Sequence, residues 1–220
     1  MFSKAVFDQK KLEFIKDLQL KRFSLEPLYL DVISQFQKNW DKERIDFAVM
    51  YDQSLQSKIS NRLWKTVDHF PKEMMLQFME MSPYIVREVF DDLFNEEKDI
   101  TGRVGRFTFH CDELLNMLQE ANTTKKYRHH YHDAFVASLY LMLKFPDRYS
   151  LYNPTAFSKA MALLGARKVP DVIPIDNYFT LMRTMTKFLS EDLGNEYPEY
   201  AGKPILALEM VYWLVGAEKA

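Results

Sequence analysis

Cysteine is all but missing: Cys111 is the single one in 220 residues. No intramolecular disulfide can form, and no structural zinc site built on several thiolates is expected. Glycine is nearly as scarce, at six residues. Neither G-x-x-x-x-G-K-[ST] nor G-x-G-x-x-G occurs, so the chain has no phosphate-cradling loop and is not expected to hydrolyse nucleotides. H-E-x-x-H, C-x-x-C and the G-x-S-x-G nucleophile elbow are missing too, and no catalytic residue is assigned. Long apolar runs are also lacking. The longest near the C-terminus, Met210 to Val215, is far short of the roughly 20 residues that span a bilayer. Residues 1–11 are broken by Lys4, Asp8, Lys10 and Lys11 and hold no signal-peptide h-region. No charge sign dominates. With 29 basic and 31 acidic side chains the net charge is −2, which argues against a uniformly basic nucleic-acid coat and against an acidic tail. The composition is that of a cytoplasmic chain, with no membrane partner and no cofactor.

What is present is bulk for a core: 47% apolar residues, including 17 Phe, 12 Tyr, 3 Trp and 12 Met. Its spacing is helical from end to end, with no sustained period-2 alternation. Lys10 to Arg22 sets Leu12, Ile15, Leu18 and Leu20 among charges. Ser24 is read as the cap of a second helix with Leu28, Val32, Ile33 and Phe36 on one face. Asp41 opens a third, with Ile45, Val49, Tyr51 and Leu55 as its apolar positions. Residues 60–69 read as a loop. Phe70-Pro71 and Ser82-Pro83 each start a helix with proline at its first position. Met74, Phe78 and Met81 form one face, and Val86, Phe90 and Phe94 another. Helices are then expected over 100–120, 131–145, 154–165, 175–189 and 204–215. These are closed in part by Pro146, Gly165 and Gly194. The fold class is therefore all-α, one domain over 1–220 of nine or ten helices, with 121–127 as the candidate seam between two packed lobes.

Resolved along the chain, the charge is dipolar. Residues 73–100 carry a net −6, with Glu88, Asp91 and Asp92 among the acids, and residues 121–170 a net +6. Like-charged acids at i, i+4 on a helix are usually solvated, so Glu88 and Asp92 are not taken as catalytic. The densest basic stretch runs Lys125-Lys126-Tyr127-Arg128-His129-His130-Tyr131-His132-Asp133. It mixes phosphate-pairing cations with rings that stack on bases, as nucleic-acid surfaces do. Its helix-opening backbone N–H groups would also favour an anion. The plainer reading is a solvated helix start with its tyrosines in the core. His129 with His132, and His130 with Asp133, have the i, i+3 spacing of paired ligands. Two ligands on one turn do not close a metal site, and none is assigned. Cys111 reads as a buried, inert thiol. The methionines 74, 75, 79 and 81 read as core filling in preference to a binding surface.

Several segments, in order, resemble the helical N-terminal region that precedes the AAA+ motor of bacterial McrB-like restriction proteins. They are Phe36 to Asp41 (FQKNWD) with Asp46-Phe47-Ala48, Phe70 to Met74 with Phe78, and Val86 to Phe94. The glycine–arginine stretch to Phe107, His130 to Asp133, Leu139-Tyr140-Leu141 and Phe145 to Tyr152 follow. The resemblance covers about residues 33–165, with an echo near Tyr197-Pro198. It implies a non-catalytic recognition or regulatory module, without a motor in this chain, of a kind that works beside an AAA+ motor and a nuclease subunit. It carries over no catalytic residues. Read with the +6 segment, it makes DNA the expected partner. Lys125, Lys126, Arg128, His129 and His132 are the candidate contacts, and Arg148, Arg167 and Lys168 are later candidates. The competing expectation is a protein-interaction module that docks a motor, a nuclease subunit or a trigger protein through aromatic and methionine surfaces.

Overall fold

The computed structural model describes residues 2–56, 63, 71–121, 127–170 and 173–216. Among them are ten α-helices and no strand: α1 (Lys4–Gln19), α2 (Leu28–Asn39), α3 (Phe47–Ser54), α4 (Pro71–Met81), α5 (Pro83–Leu93), α6 (Ile100–Ala121), α7 (Ala134–Lys144), α8 (Pro154–Leu163), α9 (Ile175–Leu193) and α10 (Ile205–Val215). The protein is all-α, as its spacing implies. It divides into two compact units, one of Met1–Tyr29 with Phe145–Ala220 and one of Leu30–Lys144. The seam expected at 121–127 lies inside the second unit, and positions 122–126 of it fall outside the described residues. So does the loop expected over 60–69, apart from Leu63.

The discontinuous unit is built around α10. Every residue from Ile205 to Tyr212 is buried, the mark of a helix enclosed on all sides; α1, α8 and α9 pack on it. Glu209 interrupts this apolar run, and its buried carboxylate accepts a hydrogen bond from the Glu26 N–H at 2.9 Å. Asn153 caps α8 by accepting from the Ala156 N–H at 3.1 Å, with Pro154 at the first helical position. Gly165 follows the helix with φ 75°, the left-handed geometry a helix end favours. The corner at 145–152 is tied down by its own backbone. The Arg148 and Tyr149 N–H groups donate to the Phe145 carbonyl at 3.0 and 3.1 Å. The Tyr149 ring sits edge-on to Phe179 at 4.9 Å. Helix α1 begins well before the expected Lys10, and its buried positions are Phe7, Phe14 and Leu18. Leu12 and Leu20 are exposed, because the buried stripe repeats from Phe7, not from Leu12.

The contiguous unit packs α3 on α4, α4 on α5 and α6, α5 on α6, and α6 on α7. Its centre is aromatic. Trp40 stacks on Phe36 at 4.7 Å and meets Phe90 and Phe94 edge-on at 5.1 and 5.6 Å. Two expected helix starts are displaced. Ser24 does not cap α2; the chain reaches Leu28 through Pro27, and the Leu28 N–H is met by the Glu26 carboxylate at 3.2 Å. Asp41 does not open α3, because its carboxylate accepts the Glu43 N–H at 3.0 Å and closes a local turn. The helix starts after Asp46, which rotates its faces: Phe47, Met50 and Tyr51 are buried, while Ile45 is 94% exposed and Val49 is also exposed. The Arg87 guanidinium holds this stretch from α5. It lies over the Phe47 ring at 4.2 Å and donates to the carbonyls of Lys42, Arg44 and Ile45.

Candidate functional site: the 127–133 segment and the buried histidine–cysteine cluster

Asp91, Asp92 and Glu96 of the acidic stretch are ion-paired inside the contiguous unit. Asp92 accepts from Arg106 at 2.7 Å and from Lys98. Glu96 holds the buried Arg103 at 2.6 Å, and Asp91 lies 3.4 Å from Lys42. Burial alone would raise the Asp92 carboxyl. The hydrogen bonds and charges of Arg106 and Lys98 overcome it and hold its pKa below the ordinary value.

Residues 127–133 form no helix. They are stapled to α6 and α4 by side chains. Gln119 donates to the Tyr127 carbonyl at 2.6 Å, and the Tyr127 hydroxyl donates to Gln77 at 3.0 Å. Asp133 then caps α7 by accepting the Val136 N–H at 3.0 Å. That carboxylate occupies the helix start where a bound anion was expected.

Arg128 and His129 are exposed, as a contact with a polyanion requires. Lys125 and Lys126 lie outside the described residues. Arg148, Arg167 and Lys168 are exposed and belong to the other unit. His132 is a correction. It is 1% exposed and enclosed by the rings of Phe78, Phe107 and Tyr140 at 6.2, 5.9 and 6.4 Å, so it cannot meet a nucleic acid on a surface. The turn that buries it is at Tyr131, with φ 63°, an outlying conformation for a bulky side chain.

His132 has a neighbourhood that its sequence position does not announce. Ligand atoms of Cys111, His130 and His132 all lie within 4.8 Å of one another. Neither ring nitrogen of His132 has a partner at full hydrogen-bond geometry; the His130 backbone interacts with the ring only enough to oppose burial in part. Burial, with the His130 ring adding to it and the His130 backbone opposing, drives its imidazole down to about 3. The ring is therefore neutral. His130 reaches the surface, its side chain 12% exposed. Its Nε2 lies 2.9 Å from the Asp112 carboxylate, and its Nδ1 accepts the His132 backbone N–H at 2.9 Å. These contacts make Nε2 the protonated nitrogen. Cys111 is fully buried on α6, and burial pushes its thiol up. The inert thiol expected of Cys111 is what such an environment produces. Beneath it the Tyr51 and Tyr140 hydroxyls share a buried hydrogen bond of 2.6 Å.

Sequence reasoning missed this cluster because it took 129–133 as helical and paired positions three apart. The His130 and His132 rings stack at 5.6 Å across Tyr131, whose left-handed backbone no regular spacing announces. Nothing in the sequence places Cys111 beside them.

Two clefts lie in the discontinuous unit. One of about 350 Å³ is walled by Phe157, Met161, Ile173 and Leu181, with Lys168 on its lining. The other, of about 530 Å³, carries Glu196 and Glu199. Neither contains a histidine, so neither brings a carboxylate and an imidazole together as acid–base chemistry would need. Among the described residues, no helix is long and apolar enough to cross a membrane. Comparison with protein-family models, with curated proteins and with solved structures gave no match.

Proposed function

We propose that this chain is a non-catalytic recognition or regulatory module of a McrB-like restriction or defence system, and that its ligand is DNA. The observation that carries the reading is the presentation of Arg128 and His129. Both are exposed on a segment whose ends are held by Gln119, Gln77 and the Asp133 cap. A cationic segment with fixed ends loses less freedom on meeting a phosphate backbone than a loose one. The other unit exposes cations of its own, Arg148, Arg167 and Lys168. The order of the aromatic motifs, FQKNWD through the Phe145–Tyr152 corner, supports the McrB-like context.

The test is a titration of duplex and single-stranded DNA, methylated and unmethylated, at two salt concentrations. Binding weakens with salt, and the slope falls by roughly one for each phosphate-pairing cation removed. Changing Lys125, Lys126 and Arg128 to Ala therefore lowers both affinity and slope. Salt-independent binding, or no loss on these changes, rejects the reading.

One feature favours docking to a protein instead. Phe109 and Met117 on α6 are 57% and 40% exposed, while Met74, Met75 and Met79 are buried core. Under this reading Phe109→Ser and Met117→Ser abolish binding to a motor or nuclease subunit, and DNA affinity is absent.

A further inference from the structure

We infer that Cys111, His130 and His132 form a binding site for one zinc-like cation, of borderline-soft character and preferring sulfur and imidazole ligands. The inference goes beyond the proposed function and does not rest on it. Buried polar side-chain atoms nearly always have a hydrogen-bond partner. The His132 ring is 1% exposed with neither nitrogen at full hydrogen-bond geometry to a partner, and leaving such groups without water or a partner costs stability. Packing alone does not account for an imidazole held there at that cost. Its neighbours are a thiol and a second imidazole with ligand atoms inside a 4.8 Å sphere of separations.

Nucleophilic chemistry does not fit the same groups. A reactive cysteine needs thiolate character and access, whereas Cys111 is fully buried with its thiol pushed up. A cation removes the first obstacle and needs no turnover at the second. It displaces the thiol proton to solvent as the sulfur–metal bond forms, and it takes the lone pair of an imidazole that is already neutral. A tetrahedral zinc with Zn–S about 2.3 Å and Zn–N about 2.0–2.1 Å sets its donor atoms roughly 3.4–3.6 Å apart. Closure therefore draws the groups together by at most roughly 1.4 Å. Two of the three ligands ride on the non-helical 127–133 segment and the third on α6.

Asp112 stands behind His130 as the carboxylate that orients a ligating imidazole and raises its basicity. Keeping that bond leaves His130 Nδ1 as the ligand, in exchange for the N–H of His132. His130 is also the path of approach, since it reaches the surface. Three protein ligands leave the fourth position to water or an exchangeable group.

The experiment uses the full chain, stripped with a chelator and titrated with Co(II). One equivalent gives a near-ultraviolet thiolate-to-cobalt band and tetrahedral ligand-field bands, and Zn(II) bleaches both. Cys111→Ser loses the near-ultraviolet band. Asp112→Asn weakens binding roughly 10–100-fold, and His129→Ala leaves it unchanged. His132→Phe preserves the aromatic contacts and removes both ring nitrogens. It keeps the helical circular-dichroism spectrum, and zinc no longer raises its melting temperature. The inference is overturned by no saturable Co(II) signal at one equivalent, by a charge-transfer band that survives Cys111→Ser, or by a zinc-induced rise in melting temperature that persists in His132→Phe.

Discussion

At the residue scale, side chains that look alike in sequence are assigned opposite work by burial. His129 and His132 stand three apart in the same basic stretch, yet one is exposed and the other is enclosed by Phe78, Phe107 and Tyr140. The acids of 88–99 look interchangeable in sequence as well. Asp92 differs because Arg106 and Lys98 converge on it. Its pKa is depressed on folding, so it contributes stability that is present above the ordinary carboxylate range and is lost as the pH falls through its folded value. Asp92→Asn therefore lowers the urea midpoint at pH 7 by the equivalent of under about 1 kcal/mol, solvent screening limiting the effect. The gap to wild type begins to close below about pH 4 and is gone only once the pH is below the depressed folded value. Urea titrations from pH 7 down through that range measure it; a gap that is constant with pH contradicts the pairing.

At the scale of the element, stops and starts carried by proline, asparagine and glycine were legible, and those inferred from a lone serine or aspartate were not. Pro71, Pro83 and Asn153-Pro154 open their helices as the sequence implies, since proline suits a first turn and no other. Ser24 and Asp41 have the chemistry of caps. Pro27 moves the start of α2, and the local turn at Asp41 consumes its carboxylate. Gly165 is a case where backbone and packing agree. It takes φ 75°, and a Cβ there would meet the Ser3 side chain at 3.3 Å and Val6 at 3.5 Å. Next to it the Ser3 N–H donates to the Leu164 carbonyl at 2.9 Å. Gly165→Ala costs about 1 kcal/mol or more through the left-handed backbone, read as a lower thermal midpoint with unchanged helix content.

At the scale of the molecule, the two units differ in how the chain builds them. Leu30–Lys144 is one unbroken stretch with its own aromatic centre, whereas the other unit joins residues 1–29 to 145–220. A fragment of residues 28–144, which keeps α2 whole, is expected to fold with a cooperative melt and a helical spectrum. A non-cooperative transition would show that its core is insufficient alone. The same fragment retains Cys111, His130 and His132. The all-α class, the helical spacing and the lack of a nucleotide loop follow from composition and period, because both are local properties that any window of the chain displays. The exposed cations were legible for the same reason. Which histidine turns inward, that Cys111 meets it, and where the chain divides depend on residues far apart in sequence. The first two were decided by the pinning of the 127–133 segment to α4 and α6, the third by packing among distant helices, and contact between distant residues leaves no periodic trace.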